Sequence, residues 1–152
     1  MADNMVYRGR TWVFSDDINT DYMMPGFTPG GLSWEERAKY CMRANRPGWS
    51  EQVRKGDILV AGRNFGTGSN RPAARILKVL GIACVLADDI NSLMFRNCIN
   101  WALPALPCRG VSRLFAEGDI AEVDLKAGTA KNTRTGEVLQ GSKIPDMLLD
   151  IV

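Results

Sequence analysis

Apolar and polar residues alternate from Val6 to Phe14, the pattern of a strand with one buried face. The pattern then dissolves for about forty residues, from Ser15 to about Gly56, into aspartates, asparagines, prolines and glycines. An irregular excursion of that length in a compact fold is usually functional rather than idle connection. Within it, Trp34 to Met42 reads as a short helix capped by Ser33, with Glu36 completing a capping box. The apolar run Ile58–Ala61 predicts a buried strand, and Gly62 to Arg71 a loop. Pro72 suits the first position of the next helix, where its missing N–H would have no partner. Ala73, Ile76, Leu77 and Leu80 then mark one buried helical face, and Gly81 ends it. Ile82 to Ala87 reads as a second buried strand. Asp88 and Asp89 are placed to cap a further helix, its apolar side formed by Ile90, Leu93, Met94 and Trp101. Strand, helix, strand, helix favours a parallel α/β unit with right-handed crossovers. Ile120 to Leu125 alternates again, Lys131 to Glu137 resembles a hairpin turn between short strands, and Ile144 to Val152 starts a helix.

Composition narrows the classes of function. The 152 residues, 45% hydrophobic and 24% charged, fit one soluble globular domain. Nineteen basic against seventeen acidic residues give a net charge of +2, too balanced and scattered for a nucleic-acid groove or an acidic-lipid patch. No apolar run approaches the ~20 residues of a membrane helix. The first ten residues lack an apolar signal-peptide segment, so the reading is cytoplasmic. There is no histidine, which removes Ser-His-Asp and Cys-His nucleophile systems and the commonest metal ligand. Cys41, Cys84, Cys98 and Cys108 contain no CxxC pair, so close-set zinc or iron–sulfur ligand motifs are missing too. Cys84 and Cys98 lie in apolar segments and read as small core residues. Any metal chemistry belongs to another chain.

The strongest local feature is the glycine-rich loop before the Pro72 helix. A helix N-terminus presents unpaired N–H groups and partial positive charge to anions. Gly66 and Gly68 permit close backbone approach, Ser69 offers a hydroxyl, and Arg71 a fork that grips a carboxylate or phosphate with two bonds. The simpler alternative is a tight strand-to-helix connection with no ligand. A dinucleotide fingerprint would need glycine at Arg71, and a P-loop needs a Gly-Lys-Ser/Thr that is absent. Asp16, Asp17 and Asp21 form a second feature, which fits either turn and cap chemistry or a carboxylate beside the loop. Arg96, Asn97 and Asn100 form a third, for which a structural role in tying down loops is the better reading.

Three separated motifs, in order, carry a resemblance that spans nearly the whole chain. Asp16-Asp17-Ile18-Asn19-Thr20-Asp21 with Met23-Met24-Pro25, then Gly56 to Gly62 with Asn64 to Arg71, then Leu93 to Asn100 with Leu103-Pro104, resemble 3-isopropylmalate dehydratase small subunits. The segment Ile144 to Leu149 is similar to that family's last helix. The resemblance implies the swivelling β/β/α domain of the aconitase superfamily over 1–152, with an irregular substrate-specificity region at about 22–50. It implies a hydro-lyase active only with a large subunit, which carries a 4Fe–4S cluster, this chain holding no metal. By position it makes Ser69 the base and Asp21 an organising catalytic residue. Arg71, Asn70, Gly68 and Thr67 would then bind substrate, and Pro25, Gly26, Phe27 and Thr28 would select it. The chain departs from the family pattern at Asn70, where a second serine is usual, and at Pro72-Ala73, where Glu-His is usual. It departs again at Gly26-Phe27-Thr28-Pro29, in place of Ala-Arg-Tyr-Leu. The implied substrate is a 2-hydroxy di- or tricarboxylic acid. The leucine-pathway compound, a homoaconitate-like or dimethylmalate-like acid, and a non-catalytic anion-binding module of the same fold all stay open.

Overall fold

The computed structural model describes residues 5–25, 30–68 and 72–142. Seven strands form one sheet in the order β4-β3-β2-β1-β5-β6-β7. The strands are β1 (Val6–Val13), β2 (Ile58–Ala61), β3 (Cys84–Ala87), β4 (Ala105–Pro107), β5 (Ile120–Asp124), β6 (Thr129–Asn132) and β7 (Val138–Gln140). β1 is the seam between two kinds of sheet. On one side it runs parallel to β2, with Thr11 opposite Ile58, and β2, β3 and β4 continue in parallel. On the other side it runs antiparallel to β5, with Val6 opposite Asp124, followed by the β5–β6–β7 meander. The parallel unit follows the α/β reading of the sequence, and of the turn expected over Lys131–Glu137 the first two residues belong to β6, leaving 133–137 between β6 and β7.

β2 and β3 are buried at every position because both of their faces are covered, which is why they read as unbroken apolar runs. Side chains alternate across a strand, so each strand feeds two cores. Leu59, Ala61, Val85 and Ala87 join the helices in one cluster. Ile58, Val60, Cys84 and Leu86 face Val111, Phe115, Ala121 and Val123 in the other.

The helices are α1 (Thr20–Met23), α2 (Trp34–Ala38), α3 (Trp49–Gln52), α4 (Ala73–Leu80) and α5 (Ser92–Asn100). α4 buries Ala73, Ala74, Ile76 and Leu77 as its periodicity requires. It closes on Gly81 at φ +103°, where a Cβ would stand 2.8 Å from Lys55 Cα. Pro72 stands just before the first helical residue rather than at it. Ser33 and Glu36 form the predicted capping box, but α2 stops at Ala38, four residues before Met42. The irregular segment is fastened to β1 by aromatic packing. Trp49 is fully buried, edge-on to Trp12 at 6.3 Å and Phe14 at 5.0 Å. The Arg46 guanidinium lies over Trp12 and Phe14, donates to the Val13 carbonyl at 3.1 Å and pairs with Glu117. Arg75 of α4 is sandwiched between Trp34 of α2 at 3.9 Å and Trp101 at 4.7 Å.

Two expectations are corrected. α5 is capped by Asn91, whose Oδ1 accepts from Leu93 N–H at 3.0 Å, and not by Asp88 or Asp89. Of the apolar side expected from the sequence, Met94 is buried but Leu93 is exposed, and Cys98 and Ile99 complete the buried face. The helix expected from Ile144 lies outside the described residues.

Candidate active site

The parallel strands β1 to β4 end at one edge of the sheet, and the chain emerges there as Ser15–Asp17, Gly62–Asn64, Asp88–Asp89 and Cys108–Gly110. In parallel α/β sheets this carboxyl edge is where ligands are bound. The loop 62–68 is fixed on both flanks. On the first flank, Asp17 N–H donates to the Arg63 carbonyl at 2.8 Å, Gly66 N–H to the Ile18 carbonyl at 2.7 Å, and Thr20 N–H to the Thr67 carbonyl at 2.8 Å. On the second, Phe65 N–H donates to the Asp89 carbonyl at 3.3 Å and Asn91 N–H to the Phe65 carbonyl at 2.9 Å. Each flank ends in a single parallel bridge, Asn19 with Thr67 and Phe65 with Ile90. The first two sequence motifs therefore meet at this loop, and residues 89–91, just before the third, hold its other side.

The aspartates divide by role. Asp16 accepts from Arg63 N–H at 2.7 Å and meets its guanidinium at 3.5 Å. Asp17, at φ +60°, accepts from the Asn64 side-chain amide at 3.0 Å. Both bonds reach 47 residues along the chain, so these aspartates tie the end of β1 to the 62–64 turn rather than bonding their own backbone. Asn19 caps α1 by accepting from Asp21 and Tyr22 N–H at 2.9 and 3.2 Å, and this leaves Asp21 exposed in the first turn of α1. Thr67 and Gly68 thus lie beside Asn19 and Thr20. Pro25 is buried directly after α1.

Backbone approach explains two glycines. Gly66 sits at φ +83°, and a Cβ there would overlap Met94 Cγ and Cβ. Gly68 sits at φ +112°, where a Cβ would come within 3.1 Å of Thr20 Oγ1. Gly68 is exposed and immediately precedes Ser69 in the chain. Ser69, Asn70, Arg71, Gly26, Phe27 and Thr28, all site candidates from the sequence, lie outside the described residues.

Residues missed by sequence reasoning hold the loop from the α5 side. Asp89 accepts from Asn64 N–H at 2.7 Å, Asn91 holds the Phe65 carbonyl, and Met94 fills the space beside Gly66. Their signal was the polar run before α5, which resembles ordinary capping. The cysteines are buried: burial pushes the Cys98 thiol up to about 12 and raises Cys41 and Cys84 as well. These thiols stay protonated at neutral pH. Among the described residues no group of three or more His, Cys, Asp or Glu is placed to hold a metal ion. No described helix is long and apolar enough to cross a membrane. The described loop ends at Gly68 and the described chain resumes at Pro72, the cap of α4, whose amino end carries the partial positive charge that suits anion capture.

Comparison with known proteins agrees with this geometry. The model of the aconitase C-terminal domain matches residues 39–109. The small subunit 1 of 3-isopropylmalate dehydratase from Methanopyrus kandleri is 45% identical over 148 residues, 97% of this chain and 87% of that protein. The isopropylmalate/citramalate isomerase small subunit of Methanocaldococcus jannaschii is 40% identical over 97% of this chain and 88% of its own. The crystal structure of 3-isopropylmalate dehydratase from M. jannaschii superposes with a TM-score of 0.87 at 30% identity, covering 95% of this chain and 86% of that one. Aconitase X of Thermococcus kodakaraensis shares the fold at a TM-score of 0.51 and 14% identity.

Proposed function

The chain belongs to the family of 3-isopropylmalate dehydratase small subunits, and from that premise we propose that Ser69 is the proton acceptor and Arg71 the carboxylate grip of a two-chain hydro-lyase. The observation that carries this reading is the loop 62–68, clamped to 16–20 on one flank and to 89–91 on the other. A serine hydroxyl is a poor base in water. Amides at a helix start and a neighbouring guanidinium stabilise its alkoxide in a closed, drier site. Arg71 binds a substrate carboxylate through its planar fork, which a point charge does not reproduce. Asp21, held on α1 beside Thr67 and Gly68, organises the approach, and Thr67, Gly68 and Asn70 complete the substrate cradle.

The described residues of this chain do not fit an iron–sulfur cluster, so the 4Fe–4S group is assigned to the large subunit, where it supplies Lewis-acid chemistry at the leaving hydroxyl. The substrate is a 2-hydroxy di- or tricarboxylic acid. 3-Isopropylmalate is the first candidate, from the names of the relatives, and citramalate the second, from the M. jannaschii relative. Selection falls to Pro25–Thr28, where the sequence departs from the family pattern. A cytoplasmic setting fits this chemistry.

The test is reconstitution with the large subunit under anaerobic conditions and assay against a panel of hydroxy acids. Ser69→Ala lowers kcat by roughly 10²–10⁴-fold while the complex still assembles on size exclusion. Undiminished turnover refutes the base assignment. Arg71→Lys raises KM by roughly tenfold or more, and an unchanged KM removes the carboxylate grip.

A further inference from the structure

Beside the loop, at the same carboxyl edge of the sheet, lies a cleft of about 650 Å³ whose charged lining is Asp16, Arg63, Asp88, Asp89, Arg109 and Arg113. Its acidic groups are already committed. Asp16 holds Arg63, and Asp89 holds Asn64 N–H. Asp88 accepts from both the backbone N–H and the hydroxyl of Ser112, each at 3.0 Å. The guanidinium groups of Arg109 and Arg113 are exposed and form no ion pair or hydrogen bond with any described residue.

The two arginines stand on a rigid base. Arg109 follows β4, and Arg113 ends a 3₁₀ turn (Val111–Arg113). Val111 is fully buried and Ser112 is pinned by Asp88. Val111 N–H donates to the Cys108 carbonyl at 3.1 Å and Arg113 N–H to the Gly110 carbonyl at 3.1 Å. Little backbone order remains to be gained when a ligand arrives, which favours binding.

We infer that this cleft is the docking surface for the large subunit, whose Asp or Glu side chains enter it one at a time against Arg109 and Arg113. The inference rests on the two-chain reading above. Arginine forks are the cations enriched at protein interfaces, because they bind carboxylates with two parallel bonds and are weakly hydrated. The three aspartates in the same lining favour a protein over a free anion. They repel a phosphate or a tricarboxylate that carries its charges together, whereas separated carboxylates on a docked chain reach each guanidinium singly. Docking here sets the partner next to the 62–68 loop, since Arg63 lines the cleft.

The experiment measures the dissociation constant between this chain and the large subunit by calorimetry at low and high salt. Arg109→Glu/Arg113→Glu weakens association by roughly tenfold or more at low salt, the deficit shrinks as salt rises, and the melting curve of the isolated chain is unchanged. Arg109→Lys/Arg113→Lys recovers part of the affinity. Lys126→Glu/Lys131→Glu, on the β5–β6 hairpin away from this edge, leaves it intact. Should the charge reversal lower the melting temperature, Arg109→Gln and Arg113→Gln are measured singly, with a smaller loss in the same direction. An unchanged dissociation constant in the folded double variant overturns the inference. So does normal association combined with lost binding of free citrate by the isolated chain, which would make the cleft a small-anion site. Ser69→Ala separates the two readings: full turnover in that variant sinks the catalytic assignment while the docking constant remains measurable.

Discussion

Replacing Gly66 by alanine tests the most constrained point of the candidate site. The glycine adopts φ +83°, and a left-handed backbone costs an L-residue roughly 1–2 kcal/mol. The added methyl also falls on Met94 Cγ and Cβ, with Met94 Sδ 3.1 Å away, and overpacking of a filled core costs roughly 1–3 kcal/mol. Relief is limited because Met94 is 1% exposed and α5 is anchored by Asn91. The sum centres near about 3 kcal/mol, which for a chain of this size lowers the melting temperature by about 6–12 °C. Urea unfolding and thermal melts followed by circular dichroism measure it directly. The companion variant Met94→Ala removes Cγ and Sδ but keeps the Cβ that a Gly66 methyl also overlaps, so Gly66→Ala/Met94→Ala recovers part of the overpacking and is somewhat less destabilised than the two single costs added together. In the reconstituted enzyme, turnover of Gly66→Ala falls further than the folded fraction does, because Phe65 and Thr67 are both displaced. A Gly66→Ala protein within about 0.5 kcal/mol of the parent, or strict additivity with Met94→Ala, refutes the reasoning.

Three more outcomes follow from the structure. Asn91→Ala removes the α5 cap and costs about 1 kcal/mol in urea unfolding, whereas Asp88→Ala acts through Ser112 and leaves the helix start capped. Burial acts to raise the pKa of Asp57. The Arg54 N–H at 2.8 Å, the Trp12 indole at 2.8 Å and the Arg10 guanidinium at 3.0 Å outweigh it and hold the carboxyl below its ordinary value. The stability this contributes is present above the unfolded pKa of about 3.9 and is lost as pH falls below it through the folded value. The urea midpoint of the parent therefore drops below about pH 4, and Asp57→Asn both lowers stability by about 2–4 kcal/mol at pH 7 and flattens that acid limb. Arg75→Met, measured by thermal melt, loses about 1–2 kcal/mol because the guanidinium between Trp34 and Trp101 is replaced by a neutral chain.

What could be read from the chain depended on how far the determining contacts reach. Ile58–Ala61, the α4 face and Gly81 were legible because burial on both sides, helical period and a left-handed terminus are local signals. The meeting of the first two motifs at one loop joins residues more than forty positions apart, which no local pattern signals. Asp88 and Asp89 misled because any aspartate before a helix resembles a cap, yet tertiary partners 24 and 25 residues away draw them off to Ser112 and Asn64. β4 could not be seen, since three residues beside Pro104, ending in Pro107, carry almost no strand signal. Four-residue α1 was hidden in a polar run because its capping side chain, Asn19, is itself part of that run. Leu93 was grouped with Met94 on one apolar side, but the buried face is centred on Met94, Cys98 and Ile99.

The placement of β1 at the seam has a consequence for how the molecule comes together. The partners that complete its antiparallel side lie more than a hundred positions later in the chain. At roughly 5–20 residues per second, a ribosome takes about 5–20 s to make that stretch. During that interval the nascent polypeptide carries a half-finished β-structure with one flank open. A strand in that condition recruits whatever extended segment is nearby, so β1 is where chaperone capture and early aggregation would first be felt.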